Sequence, residues 1–292
     1  MNPLLDWLHG GPLIIDGAWG TQMQQRGLEP GVCPDYWNLD HPELVEAVAR
    51  LYVEAGSEII LTNTFRANPV SLEGASAEKV REVNIAGVGI SRRAAGARVK
   101  VVASMGPTGK MMMTGEIDEA GIGRAFAMQA AALAEARPDA LLLETFSDLD
   151  EASIALRASL ATGLPVAVSF AFDSGKNKDR TMMGVTPEQA ARRMAAEGAS
   201  AIGANCGAGP ESFASVGVRF RDACDLPIWL KPNAGLPVVE DGGVSYSMSA
   251  EAFAAHLAGL LDAGACFVGG CCGTSPDFIR ALVAERKRCV SG

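Results

Sequence analysis

Eight short apolar runs punctuate this sequence, and the segments between them are alanine-rich with helical spacing. The runs are Leu13 to Ile15, Ile59 to Leu61, Val99 to Ala103, Ala140 to Leu143, Val166 to Phe170, Ala201 to Gly203, Ile228 to Leu230 and Cys266 to Val268. Short, continuous apolar runs are the mark of parallel strands buried on both faces. Several intervening helices open on a cap, a proline and an acid, as in His41-Pro42-Glu43, Thr186-Pro187-Glu188 and Ser275-Pro276-Asp277. Glycine closes others at Gly56, Gly198 and Gly264. Eight strands alternating with helices, with no linker-like stretch, predict an α/β fold: a (β/α)8 TIM barrel forming a single domain over residues 1–292, ahead of a doubly wound open sheet. The 33 glycines and an aromatic content of only 6% fit an aliphatic core with many tight turns.

In such a barrel the loops that follow the strands share one rim, where chemistry is usually found. The long segments here are Asp16 to Asp40, Thr62 to Ala77, Ser104 to Asp118, Asp173 to Val185 and Pro232 to Ser249, whereas helix-to-strand connections are short. Two of the strand ends carry thiols set among glycines: Gly203-Ala204-Asn205-Cys206-Gly207 and Gly269-Gly270-Cys271-Cys272-Gly273-Thr274. Adjacent cysteines bridge each other poorly because the ring is strained, but on a compliant loop both can turn toward one soft cation. Cys206 after the sixth run and Cys271 and Cys272 after the eighth would meet on one rim, and three thiolates suit a tetrahedral zinc ion with its fourth position open. Cys224 and Cys266 read as core, Cys289 as a tail residue and Cys33 as loop packing. His9, His41 and His256 do not follow strands, which argues against a histidine-ligated metal.

Other residues at strand ends are candidates for orienting a polar ligand. Asp16-Gly17-Ala18-Trp19-Gly20-Thr21 is a glycine-rich turn whose N–H groups can meet an anion, while Asp16 can accept from an ammonium. Glu144 follows Leu141-Leu142-Leu143, and a carboxylate there needs a cationic partner. Asn63, Ser104 and Asn233 hold equivalent positions. Met111-Met112-Met113 and Met182-Met183 read as loop packing, with contact to a bulky partner as the lesser alternative.

The formal net charge of -9 speaks against a nucleic-acid partner, and the basic pairs Arg92-Arg93 and Arg192-Arg193 read as solvated helix faces. Asp6, His9, Gly10, Gly11 and Pro12 interrupt the apolar N-terminus, so neither a signal peptide nor a membrane span is expected. Seven cysteines without a secretion signal fit free thiols in a reducing cytoplasm.

The motifs Asp16-Gly17-Ala18-Trp19-Gly20-Thr21, Thr62-Asn63-Thr64-Phe65, Gly106-Pro107-Thr108-Gly109, Glu144-Thr145, Gly203-Ala204-Asn205-Cys206, Pro232-Asn233-Ala234-Gly235 and Gly269-Gly270-Cys271-Cys272-Gly273-Thr274 together resemble the homocysteine S-methyltransferase family. The resemblance covers nearly the whole chain in order. It implies a zinc-dependent barrel that methylates homocysteine to methionine, with Cys206, Cys271 and Cys272 on the zinc, and Asp16 or Glu144 on the substrate ammonium. It also implies that backbone N–H groups near Gly17 and Ala18 take the carboxylate and that Asn233 can stand at the vacant metal position. Pro232-Asn233-Ala234-Gly235-Leu236-Pro237 looks most like the homocysteine module of cobalamin-dependent methionine synthase. No folate barrel and no Asp-x-His-x-x-Gly cobalamin motif occurs in these 292 residues, so a methyl-corrinoid donor such as methylcobalamin would come free or on a separate corrinoid protein. The alternative reading is a demethylating component of a corrinoid system, or a methyltransferase for another thiol.

Overall fold

The computed structural model describes residues 2–240 and 243–291. The apolar runs form β1 (Leu13–Ile14), β2 (Ile59–Leu61), β3 (Lys100–Met105), β4 (Ala140–Phe146), β5 (Val166–Phe170), β6 (Ala201–Cys206) and β7 (Ile228–Pro232). A hairpin of β8 (Pro237–Glu240) and β9 (Gly243–Tyr246) follows, and β10 (Ala265–Val268) is the last barrel strand. The eight-stranded sheet runs β1-β10-β7-β6-β5-β4-β3-β2, and its pairings are parallel. A parallel bridge from Ile15 to Ile59 joins the two end strands and closes the (β/α)8 barrel. Of the expected caps, Thr186 makes a reciprocal capping box with Gln189 and Gly56 ends its helix at φ 101°, whereas His41 precedes its helix with no side-chain cap hydrogen bond.

Side-chain parity sorts the core into two shells, because successive strand residues point to opposite faces. Val101, Ala103, Leu141, Leu143, Val166, Val168, Ile202, Ile228 and Leu230 face outward to the helices. Ile15, Leu61, Val102, Leu142, Ala167, Ala201, Trp229 and Phe267 fill the barrel axis, with Leu4, Trp7 and Leu8 of the N-terminal segment packed against them. Two residues further along, the inward position turns polar while remaining buried: Ser104 after Val102, Glu144 after Leu142, Ser169 after Ala167 and Lys231 after Trp229. The site is therefore a polar layer stacked directly on an apolar one.

The structure lengthens four of the expected strands toward the rim. Strands β3, β4, β6 and β7 continue through Met105, Phe146, Cys206 and Pro232, because a polar side chain aimed at the axis leaves the backbone ladder intact. The segment Pro232 to Ser249, expected as a loop, contains the β8–β9 hairpin, and Asp241 and Gly242 within it lie outside the described residues. The methionine loops also differ from expectation. Met112 packs against the core, but Met113 and Met182 are 74% and 67% exposed. Among the described residues no helix is long and apolar enough to cross a membrane.

Candidate functional site

Strand β7 is the scaffold that brings the thiols together. Cys206 pairs in register with Pro232 on one side of β7, and on the other the N–H of Cys271 donates to the Pro232 carbonyl at 2.8 Å. Ala234 N–H then donates to the Cys272 carbonyl at 3.0 Å. The Sγ atoms of Cys206 and Cys272 lie 3.6 Å apart, and all three sulfurs fall within 4.8 Å of one another. Ligands about 2.3 Å from a tetrahedral ion stand roughly 3.8 Å from each other, so one soft divalent metal fits this set. Cys206 reaches the position at φ 63°, a left-handed conformation rare outside glycine, and Gly207 follows at φ 65°. A Cβ on Gly207 would come within 2.8 Å of the Phe172 carbonyl oxygen, so this turn accepts no side chain.

The three thiols cannot ionise together without a cation. The neighbouring Cys271 and Cys272 thiols, with burial, push the Cys206 thiol far up, whereas Cys206 and Cys271 hold Cys272 well down. A dication bound here would compensate the thiolate charge, and the three thiols are the residues that would hold it. Nearby, Asn233 Nδ2 donates to the Gly207 carbonyl at 2.8 Å, and its buried Oδ1 has no partner among the described residues. Tyr246 of β9 packs over Gly273, and burial together with the neighbouring Cys272 raises its phenol.

The sulfurs open onto a cavity of about 350 Å³ lined by Leu61, Asn63, Phe65, Ser104, Glu144 and Lys231 among others. Of the anticipated residues, Gly17, Ala18, Asn63, Ser104 and Glu144 lie on its wall, and Asp16 sits behind it. Both Asp16 oxygens are engaged, Oδ2 by Trp19 Nε1 and Leu61 N at 2.7 Å each and Oδ1 by Lys231 Nζ at 2.6 Å. Ser104 Oγ donates to Glu144 Oε1, and burial pushes the Glu144 carboxyl up to about 7 against the pull of Lys231. Asn63 spends its amide on Pro34 O at 2.8 Å and Asn38 Oδ1 at 3.0 Å, so it fixes the loop after β1.

Sequence reasoning passed over Lys231, Asn205 and Thr274. Parity was the available signal for the first, since Lys231 stands two residues beyond Trp229 as Glu144 stands beyond Leu142. Burial works to strip the Lys231 ammonium of its proton, but Asp16 and then Glu144 outweigh it and hold the charge. Asn205 clamps the turn after Glu144. Its Oδ1 accepts from Thr145 N at 2.9 Å and from Ser169 Oγ at 2.7 Å, while its Nδ2 donates to Thr145 Oγ1 at 2.7 Å. Thr145 is held at φ 66°, costly for a β-branched residue. Asn205→Ala is expected to lower stability by about 2–3 kcal/mol and to move Glu144, read by denaturant unfolding and by a rise in substrate KM. An unchanged midpoint and KM would rule out the clamp.

The loop carrying Pro34, which lines the cavity, rests on the buried Asp35. Asp35 Oδ1 accepts from Arg66 N at 2.9 Å, yet burial raises its carboxyl to about 6. A raised carboxyl pKa means the folded state holds a proton the unfolded chain has lost, so its contribution is full below about pH 4 and disappears as pH rises through about 6. Asp35→Asn should therefore gain about 1–3 kcal/mol over the parent at pH 7.5 and little at pH 4, measured as urea midpoints at both values.

A closed parallel barrel with three thiols converging beside a polar cavity defines the class: a (β/α)8 protein with a candidate thiolate metal centre at its carboxyl rim. The family model described as homocysteine S-methyltransferase matches residues 13–286, and the chain belongs to that family. The methionine synthases of Mycobacterium leprae and Mycobacterium tuberculosis are 32% and 33% identical to it over 99% and 98% of its length. The chain spans about a quarter of those relatives, 25% and 26%. The S-methylmethionine–homocysteine S-methyltransferase BHMT2 of Pongo abelii is 27% identical over 97% of this chain and 80% of its own. The metallated homocysteine methyltransferase MmuM of Escherichia coli superposes with a TM-score of 0.80 at 22% identity, covering 97% of this chain and 98% of its own, which shows the shared fold.

Proposed function

We propose that residues 1–292 form one homocysteine-binding domain that moves a methyl group onto the homocysteine thiolate to give methionine. The observation that carries this reading is the set of three sulfurs within 4.8 Å of one another, opening onto a cavity that also presents Glu144. In this reading Cys206, Cys271 and Cys272 would hold zinc, and the unpartnered Asn233 Oδ1 would be a further donor nearby. Zinc, when bound, keeps the substrate sulfur deprotonated and electron-rich at neutral pH.

The remaining work falls to the chain itself. Asp16 is saturated by three donors, which leaves Glu144, oriented by Ser104 and with no Oε2 partner among the described residues, to receive the ammonium. Asn205 and the Thr145 turn hold that carboxyl in place. The apolar wall of Leu61, Phe65 and Met23 excludes water from the sulfur. The new S–CH3 bond forms as the donor–CH3 bond breaks, the electron pair leaves with the donor, and the thiol proton departs on binding. The donor we favour is a methyl-corrinoid, free or on a separate protein. The identity to methionine synthases and the Pro232 to Pro237 motif support it. Three reduced thiols at the centre of the site suit work in the cytoplasm.

Supplying homocysteine with methylcobalamin, S-methylmethionine, S-adenosylmethionine or betaine in parallel, and measuring methionine, tests both parts. Methionine from methylcobalamin alone is expected. Methionine from a different donor reassigns the donor, and none from any donor removes the proposed activity.

A further inference from the structure

Thr274 stands behind the cavity, fully buried, at the end of the loop that carries Cys271 and Cys272. It is not among the described residues that line the cavity, but four that are, Gly17, Ala18, Gly270 and Cys271, rest against it. One oxygen makes both polar links. Thr274 Oγ1 donates to the Cys271 carbonyl at 2.7 Å and accepts from the Ala18 N–H at 3.1 Å. A hydroxyl has a single proton and a carbonyl can only accept, so the direction of both bonds is fixed.

The Thr274 N–H donates to the same Cys271 carbonyl at 3.1 Å, while the Cys271 N–H is held by the Pro232 carbonyl at 2.8 Å. Cys271 is thus tied on both sides of its Cα, by β7 at the nitrogen and by Thr274 at the carbonyl. The neighbouring glycines make the fit close. A Cβ on Gly17 would meet Thr274 Oγ1 at 2.7 Å, and one on Gly270 would overlap the Thr274 side chain. The hydroxyl therefore fastens the thiol loop to the turn after β1, two segments 256 positions apart in the chain.

We propose that Thr274 is a positioning residue for the metal centre: its hydroxyl sets Cys271 against the turn after β1, and the affinity of the three thiols for zinc depends on it. This rests on the metal-holding reading above and adds a residue that touches neither metal nor substrate. A group that orients a metal ligand typically governs about 10–100-fold in metal affinity.

Zinc affinity of the full chain, measured by competition with a chromophoric chelator without thiol substrate or methyl donor, is the test. Thr274→Val keeps the shape and loses both hydroxyl bonds, whereas Thr274→Ser keeps the hydroxyl and loses a methyl group. Thr274→Ala removes the hydroxyl with no new group against Gly17 and Gly270, and it stands in if the valine variant fails to fold. Tyr52→Phe is the control. Tyr52 Oη donates to the Ala18 carbonyl at 2.7 Å, so its loss loosens the same turn without removing a bond to the thiol loop.

Thr274→Val and Thr274→Ala should bind zinc at least about tenfold more weakly, Thr274→Ser within about threefold of wild type and Tyr52→Phe within about twofold. A valine or alanine variant with wild-type affinity overturns the proposal, and so does a serine variant as weak as valine. Equal weakening by Tyr52→Phe would show a general loosening of this face and overturns it too. Wild-type protein that binds no zinc instead defeats the metal reading beneath it.

Discussion

On the proposed function, Cys206→Ala protein is expected to fail to retain zinc and to lose methionine formation down to the level of a protein-free control. The sulfur of Cys206 lies 3.6 Å from that of Cys272 and completes a three-point set within 4.8 Å. Removing it leaves two adjacent thiols that share one loop and span too little of a tetrahedron. Loss of a residue that merely supports a metal ligand typically costs 10–100-fold in affinity, so loss of a ligand should cost at least about a hundredfold. Elemental analysis after dialysis reads the metal, and methionine production reads the activity. Circular dichroism checks that the turn at φ 63° survives, since alanine must adopt the same left-handed geometry. Full activity in a zinc-free variant would refute the metal-centred chemistry.

The second large effect concerns stability. Lys231→Met should strand the Asp16 carboxylate, which is 0% exposed, with only two neutral N–H donors. Breaking one side of a buried ion pair costs about 3–5 kcal/mol. For a chain of this size that lowers Tm by roughly 5–8 °C. The Asp16→Asn/Lys231→Met double variant should recover most of the loss, because neither charge is then buried alone. Thermal unfolding of the four proteins in the cycle measures the coupling directly. A single variant that melts with the wild type would show that the pair contributes no structural strength and that Asp16 finds another partner.

Both effects originate in the same layer of the barrel. The apolar plug around Trp229 and Phe267 ends where Glu144 and Lys231 begin, so charges that water would otherwise hold are held by each other and by fixed dipoles. That layer sets Glu144 and Lys231 on one cavity wall beside the three thiols.

The eight runs, the helix caps and the rim placement of Cys206, Cys271 and Cys272 were legible in the sequence, because each follows from local preference or from chain order around a barrel. Glu144 was legible as well, since a carboxylate directly after three leucines at a strand end is too costly to bury unless a cation or a ligand meets it. The β8–β9 hairpin carried a signal that sequence reasoning passed over, Asp241-Gly242 between Val238-Val239 and Val244-Ser245-Tyr246. That Tyr246 packs on Gly273, a contact between distant segments, only the fold supplies.

The order of strands and the side of the barrel that carries the chemistry were determined by the sequence alone, through periodicity and spacing. Which acid remains free for a ligand, and which cation faces it, only the tertiary structure decided. A carboxylate advertises its charge in one dimension, but whether that charge is already spent depends on neighbours such as Lys231, 215 positions away along the chain from Asp16.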